Sequence, residues 1–144
     1  GDGAKQARLY LTAFSKRRQL LARAGEKLSM IRRLAPAIKA AERTIVFTQT
    51  VEAAEEAQRR ARRAGIPGGV LHAELDPTER SEVFEKFRDG GFDLIAAPML
   101  LDEGVDVPDA DLAIVVASSR SRRQMVQRMG RIVRRRFHPG GPLT

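Results

Sequence analysis

The sequence predicts an α/β fold: a parallel sheet with helices on both faces in three layers, preceded by N-terminal helices. Three observations predict it. Short β-branched and apolar runs alternate with segments of helical period from Thr44 onward. The run Leu112–Ala117 is almost wholly apolar, as expected of a strand buried on both faces. Helix start and stop signals separate the runs at regular intervals.

The elements follow in order. In residues 6–42, Ala7, Tyr10, Leu11, Phe14 and Leu21 form one stripe at spacings of three, four and seven. Leu28, Ile31, Leu34 and Ile38 form a second, and Gly25 separates the two predicted helices. Pro36 argues against an unbroken second helix. Ile45-Val46-Phe47-Thr48 is a predicted buried strand. A helix follows, with Val51, Ala54, Ala57, Ala61 and Ala64 inward, Glu and Arg outward, and Gly65 as its stop. Val70-Leu71 is a short strand. Asp76-Pro77-Thr78-Glu79 opens a helix with an N-cap carboxylate, a proline in the first turn and an acid beyond it. Val83, Phe84 and Phe87 form its inner face, and Asp89-Gly90-Gly91 ends it. Phe92–Ala97 and Leu112–Ala117 complete the strands. Ser121 with Gln124 resembles a capping box for a last helix running to about Arg135. The expected division is a helical lead-in over 1–42 and one α/β domain over 43–144.

Composition narrows the chemistry. The 144 residues have room for one core. The chain has no cysteine, which excludes disulfides, thiolate zinc sites and a cysteine nucleophile, and only two histidines. No apolar run reaches the roughly 20 residues of a membrane helix, and no signal-peptide pattern opens the chain, so a cytoplasmic location is expected. The net charge is +8, with 26 Lys and Arg against 18 Asp and Glu. Arginine dominates the excess, which suits bidentate contacts to phosphate.

Ligands of parallel sheets bind beyond the carboxyl ends of the strands. Segments 48–50, 72–80, 98–109 and 118–134 therefore matter most. In the last of these, Gln127, Arg131 and Arg134 are spaced by four and three and share one helix face. Eight arginines and no acid lie between Arg120 and Arg136, a clustering that an anion would compensate. A solvated basic helix over Met125, Met129, Ile132 and Val133 accounts for the spacing equally well. Gly104 permits a tight turn, and Asp106 follows in a loop closed by Pro108. A carboxylate there can accept hydrogen bonds from a sugar, or simply stop a helix. The acids between Asp102 and Asp111 fit no recognised metal loop, so no metal site is expected. Ser118, Ser119 and Ser121 suit capping, His72 ends a strand, and Arg59, Arg60, Arg62 and Arg63 suit a solvated helix face.

Taken together, Ile45–Thr50 (IVFTQT), Asp102–Pro108 (DEGVDVP) and Gln127–Arg134 (QRMGRIVR) occur in order and resemble motifs IV, V and VI of superfamily 2 helicases. Those motifs lie in the C-terminal RecA-like lobe, a P-loop NTPase-type domain. Glu103, Gln127 and the lead-in Ser-Arg-Ser-Arg-Arg-Gln resemble the XPB-like DNA translocase branch. The resemblance covers residues 43–136 and implies roles by position. Arg131 and Arg134 match the motif VI arginines that reach the nucleotide, with Arg134 as the arginine finger. Gln127 matches the residue near the γ-phosphate, and Gly104 and Asp106 the turn and carboxylate at the nucleotide's ribose. Arg128 matches an arginine between the lobes. Thr48, Gln49 and Arg80 match contacts to the nucleic-acid backbone. Where the family usually has Thr or Ser before motif V, this chain has Pro98, which lacks both hydroxyl and N–H. The contact passes to neighbouring backbone amides, Met99 among them.

No G-x-x-x-x-G-K-[ST] loop and no Asp-Glu strand end for Mg²⁺ occur here. The resemblance implies ATP with Mg²⁺ as cofactor, metal ligands outside this chain, and the N-terminal RecA-like lobe as partner. DNA is the expected track, with RNA as the alternative and no membrane. The same motifs also suit an RNA helicase lobe or a restriction or nuclease-fused subunit. The basic balance alone would suit a non-catalytic docking module. The expectation is half of an ATPase, inactive by itself and ending soon after motif VI.

Overall fold

The structure is a computed structural model and describes residues 9–15, 19–25, 30–98, 110–118 and 120–128. Its strands are β1 (Leu9–Ser15), β2 (Gln19–Gly25), β3 (Thr44–Thr48), β4 (Gly68–Val70), β5 (Leu94–Pro98) and β6 (Leu112–Ser118). Its helices are α1 (Met30–Ala41), α2 (Val51–Arg63), α3 (Pro77–Arg88) and α4 (122–128). One six-stranded sheet runs in the order β2-β1-β6-β3-β5-β4. The four strands from β6 to β4 are parallel, and β1 and β2 add antiparallel at the β6 edge.

Alternation along the strands divides the core into two layers. Val46, Leu94, Ala96, Leu112, Ile114 and Val116 face α1 and α2, against Ile31, Ala35, Ile38, Ala54, Ala57 and Ala61. Ile45, Phe47, Ile95, Ala113, Val115 and Ala117 face the other way, against Phe87 of α3 and Met125 of α4. The predicted three-layer α/β arrangement is therefore present. Helices cover both faces of the central strand β3, so it is buried along its whole length. Each large side chain buried this way contributes about 1.5–3 kcal/mol relative to exposure. The small alanine face of α2 lets that helix approach the sheet closely. α1 shares the same core as the elements after residue 43.

The N-terminal helix expected over residues 6–24 is corrected. Residues 9–15 and 19–25 are strands, and β1 pairs with β6 from Leu9↔Ser118 to Ser15↔Leu112. The physical reason is the edge of β6. Its backbone donors and acceptors need partners on both sides, and β3 supplies only one. The Leu-Tyr-Leu-Thr-Ala-Phe run, apolar and aromatic around Thr12, can serve as the other, and helical spacing is a weak preference beside a paired ladder. The doubt raised by Pro36 is also resolved: α1 continues through it. Pro36 and Arg32 are both exposed, so the Arg32 carbonyl deprived of its helical donor can bond to water.

The remaining elements shift by a residue or two. β4 is Gly68–Val70 rather than Val70-Leu71, because Gly68 and Gly69 pair with Leu94 and Ile95. β5 begins at Leu94 rather than Phe92 and runs on to Pro98. Gly65 lies beyond α2 with φ 85, a left-handed turn that glycine adopts without strain. At α3 the predicted start is complete. Asp76 accepts from the Glu79 N–H at 2.8 Å, and the Asp76 N–H donates to the Glu79 carboxylate at 3.0 Å.

Candidate functional site

The parallel register brings the carboxyl ends of β3, β5 and β6 to one edge of the sheet. Thr48 lies opposite Pro98, and Phe47 opposite Val115. Segments far apart in sequence thus emerge side by side there.

At the end of β3 each polar group has a distinct task. Thr48 is fully buried, and its hydroxyl donates to the Thr50 carbonyl at 2.8 Å. The Thr50 hydroxyl accepts from the Ala53 N–H at 3.0 Å and caps α2. Gln49 is exposed, and its Oε1 accepts from the Ser118 N–H at 3.2 Å. That bond joins the ends of β3 and β6 across 69 residues of sequence. Of the residues expected to touch nucleic acid here, Gln49 offers its side chain to solvent, while Thr48 shapes the turn beneath it.

Beyond β6 the chain turns into α4. The Ser121 N–H donates to the Ser118 carbonyl at 3.2 Å, and the two hydroxyls lie 3.1 Å apart. The Met125 N–H donates to the Ser121 carbonyl at 3.0 Å, the first bond of the helix. Ser118 and Ser121, expected as helix caps, therefore build the turn that leads into α4. Buried Met125 anchors α4 to the sheet, which leaves Gln127 exposed and Arg128 half-buried. Arg128 is engaged with a neighbour.

Arg80 lies one turn into α3, half-buried, with its guanidinium 5.7 Å from the centre of the Phe84 ring. A cation at that distance from an aromatic face is attracted by the ring quadrupole. This pair was missed in the sequence, although its i, i+4 spacing on one helix could have signalled it. The His72 Nδ1 accepts from the Glu74 N–H at 3.2 Å, so this histidine supports a local turn. On α2, the Glu56 carboxylate bonds Arg59 and Arg60, each at 2.7 Å. These two bonds hold the Glu56 carboxyl below its ordinary range, with Arg59 the larger influence and Arg60 the next. Arg62 donates to the Gly68 carbonyl at 3.0 Å. Arg59, Arg62 and Arg63 are exposed, as a solvated helix face requires, and Arg59, Arg60 and Arg62 also bond within the fold.

Met99, Gly104, Asp106, Arg131 and Arg134 lie outside the described residues. Among the described residues, no three acidic, histidine or cysteine side chains form a metal-holding group, and no helix is long and apolar enough to cross a membrane. The Gln49–Ser118 bond was not legible in the sequence, since no spacing relates residues so far apart.

Residues 26–136 match the family model described as the helicase conserved C-terminal domain. The chain belongs to that family. This helicase C-terminal domain is 38% identical over 132 residues to the DNA 3'-5' translocase XPB2 of Sulfurisphaera tokodaii, covering 92% of the domain chain and 29% of the translocase. It is also 35% identical over 99 residues to UvrABC system protein B of a Synechococcus strain, covering 65% of the chain and 14% of that protein. Among solved structures, the Pyrococcus furiosus Hef helicase domain matches with a TM-score of 0.51 and 27% identity, over 83% of this chain and 25% of that one. The helicase C-terminal domain thus spans under a third of the length of these two relatives. Its fold is the C-terminal RecA-like lobe of superfamily 2 helicases.

Proposed function

We propose that this domain is the second motor lobe of an ATP-dependent helicase or translocase that works on DNA. The working unit is the α/β domain expected over residues 43–144 together with α1, β1 and β2, which share its core and its sheet. One observation carries the reading. α4 leaves the carboxyl end of β6 beside the exposed end of β3, with Gln127 exposed on it. This juxtaposition supports a reading in which nucleotide-facing and nucleic-acid-facing segments are neighbours. The similarity to a DNA 3'-5' translocase favours DNA over RNA.

The donor set fits a nucleoside triphosphate. From Arg120 to Arg136 the chain offers guanidiniums and amides and no acid. Gly104, Asp106, Arg131 and Arg134 would hold ATP, with the Mg²⁺ ligands on the N-terminal lobe. ATP supplies the transferable phosphoryl group. Arg131 and Arg134 present guanidiniums to oxygens that gain charge, which stabilises the transition state. Gln127 orients at the same end, and Arg128 braces the two lobes. Gln49, Arg80 and the Met99 amide hold the DNA backbone, while Thr48 keeps the Gln49 turn in place. Alternation between closed and open lobes lets that grip move along the strand. A cytoplasmic enzyme is the accompanying expectation.

The test is Arg134→Ala in the full-length enzyme, read as DNA-stimulated ATP hydrolysis. The expected loss is about 10³-fold or more, with the thermal midpoint unchanged. Unchanged turnover would remove the finger assignment. The 144-residue chain alone is expected to hydrolyse no ATP, and robust turnover by the pure chain would sink the two-lobe reading.

A further inference from the structure

We propose that Gln49 is a two-ended residue that transmits contact with a DNA phosphate to the start of α4. The inference rests on the reading of Gln49 as a nucleic-acid contact. A backbone N–H can only donate, so the atom facing Ser118 must be the Gln49 carbonyl oxygen, at 3.2 Å. That assignment fixes the orientation of the whole amide. The end left for a ligand is Nε2, which carries two donors and no acceptor. A group that only donates matches phosphodiester oxygens, which only accept.

The other end of Gln49 leads into α4. The ladder between β3 and β6 ends at Phe47↔Val115, and the Gln49–Ser118 bond continues it beyond the strands. Ser118 in turn bonds Ser121 through both backbone and hydroxyl, and Ser121 receives the first helical bond of α4 from Met125. A pull on the Gln49 amide therefore reaches the peptide from which α4 grows. α4 carries Gln127 and Arg128, and the chain continues from it to Arg131 and Arg134. A phosphate bound at Nε2 also polarises the amide and strengthens the bond its oxygen accepts. DNA contact thereby firms the launch of the nucleotide-facing helix.

The experiment titrates a DNA oligonucleotide duplex into the full-length enzyme and follows ATP hydrolysis. It reads two quantities: the DNA concentration at half-stimulation and the rate at saturating DNA. Gln49→Ala removes both ends. It should raise the half-stimulation concentration and lower the saturated rate, each by roughly fivefold for one lost hydrogen bond. Gln49→Glu keeps an oxygen toward Ser118 and replaces the donor with an anion. It should raise the half-stimulation concentration more than alanine does, while losing less of the saturated rate. If Gln49→Ala lowers the thermal midpoint, Gln49→Met takes its place, with similar length and no polar end. A rise in half-stimulation concentration with a full saturated rate overturns the coupling and leaves the DNA contact standing. An equal loss of saturated rate in the alanine and glutamate variants also overturns it. No change in either quantity removes the DNA contact at Gln49, and the coupling with it.

Discussion

Phe92 fills the space that a side chain at Gly69 would need: a Cβ there would stand 2.6 Å from the ring's Cε2. Gly69 is the middle residue of β4, the short strand at one edge of the sheet. The Lys86 ammonium lies 5.4 Å from the centre of the same ring. The ring therefore covers the glycine backbone and is itself held by a cation. Gly69→Ala should destabilise the domain by about 1–3 kcal/mol through this overpacking. Chemical denaturation would measure it, and pairing it with Phe92→Leu should recover part of the loss. An unchanged midpoint for Gly69→Ala would mean that the ring moves aside freely.

The reciprocal bonds between Asp76 and Glu79 hold the first turn of α3. Asp76→Ala should cost about 0.5–2 kcal/mol, and Asp76→Asn much less, because asparagine caps nearly as well. Urea unfolding of the three proteins gives the order directly. Equal stabilities would show that Pro77 alone sets the helix start.

Glu56 provides a pH test. Its folded carboxyl titrates below its unfolded one because Arg59 and Arg60 bond the charged form. The stabilisation is therefore present above the unfolded carboxylate range and is lost as pH falls through the folded value. Wild type and Glu56→Gln should differ modestly at neutral pH and converge in acid. Added salt should shrink the neutral-pH difference, since the pair is partly exposed. Thermal midpoints across pH would show convergence, and a gap that widened in acid would reverse the sign argued here.

Arg80 should contribute one phosphate contact in the full-length enzyme. Arg80→Ala is expected to weaken DNA binding uniformly across sequences and to reduce the slope of log affinity against log salt by about 0.9. Phe84→Leu should weaken binding less, since the charge remains and only its aromatic support is lost. Fluorescence anisotropy at several salt concentrations would measure both. An unaltered slope for Arg80→Ala would take this arginine off the DNA surface.

Much of the architecture was legible in the chain because local signals agreed with it. Ile45–Thr48 and Leu112–Ala117 were readable as buried strands from their apolar character. Asp76-Pro77-Thr78-Glu79 marked its helix because capping chemistry is local. The strands over residues 9–15 and 19–25 were not legible, because a stripe at spacings of three and four fits a short amphipathic helix. Only the unpaired edge of β6 selects the strand instead.

The sequence by itself determined the layer order, the two faces of the sheet and the motifs that place this chain among helicase C-terminal domains. These depend on period, caps and contiguous runs, which act over a few residues. Tertiary structure alone decided that Gln49 meets Ser118 and that β1 completes the ladder of β6. Such pairings depend on which backbone groups still lack partners once the sheet has assembled, and no stretch of sequence carries that information.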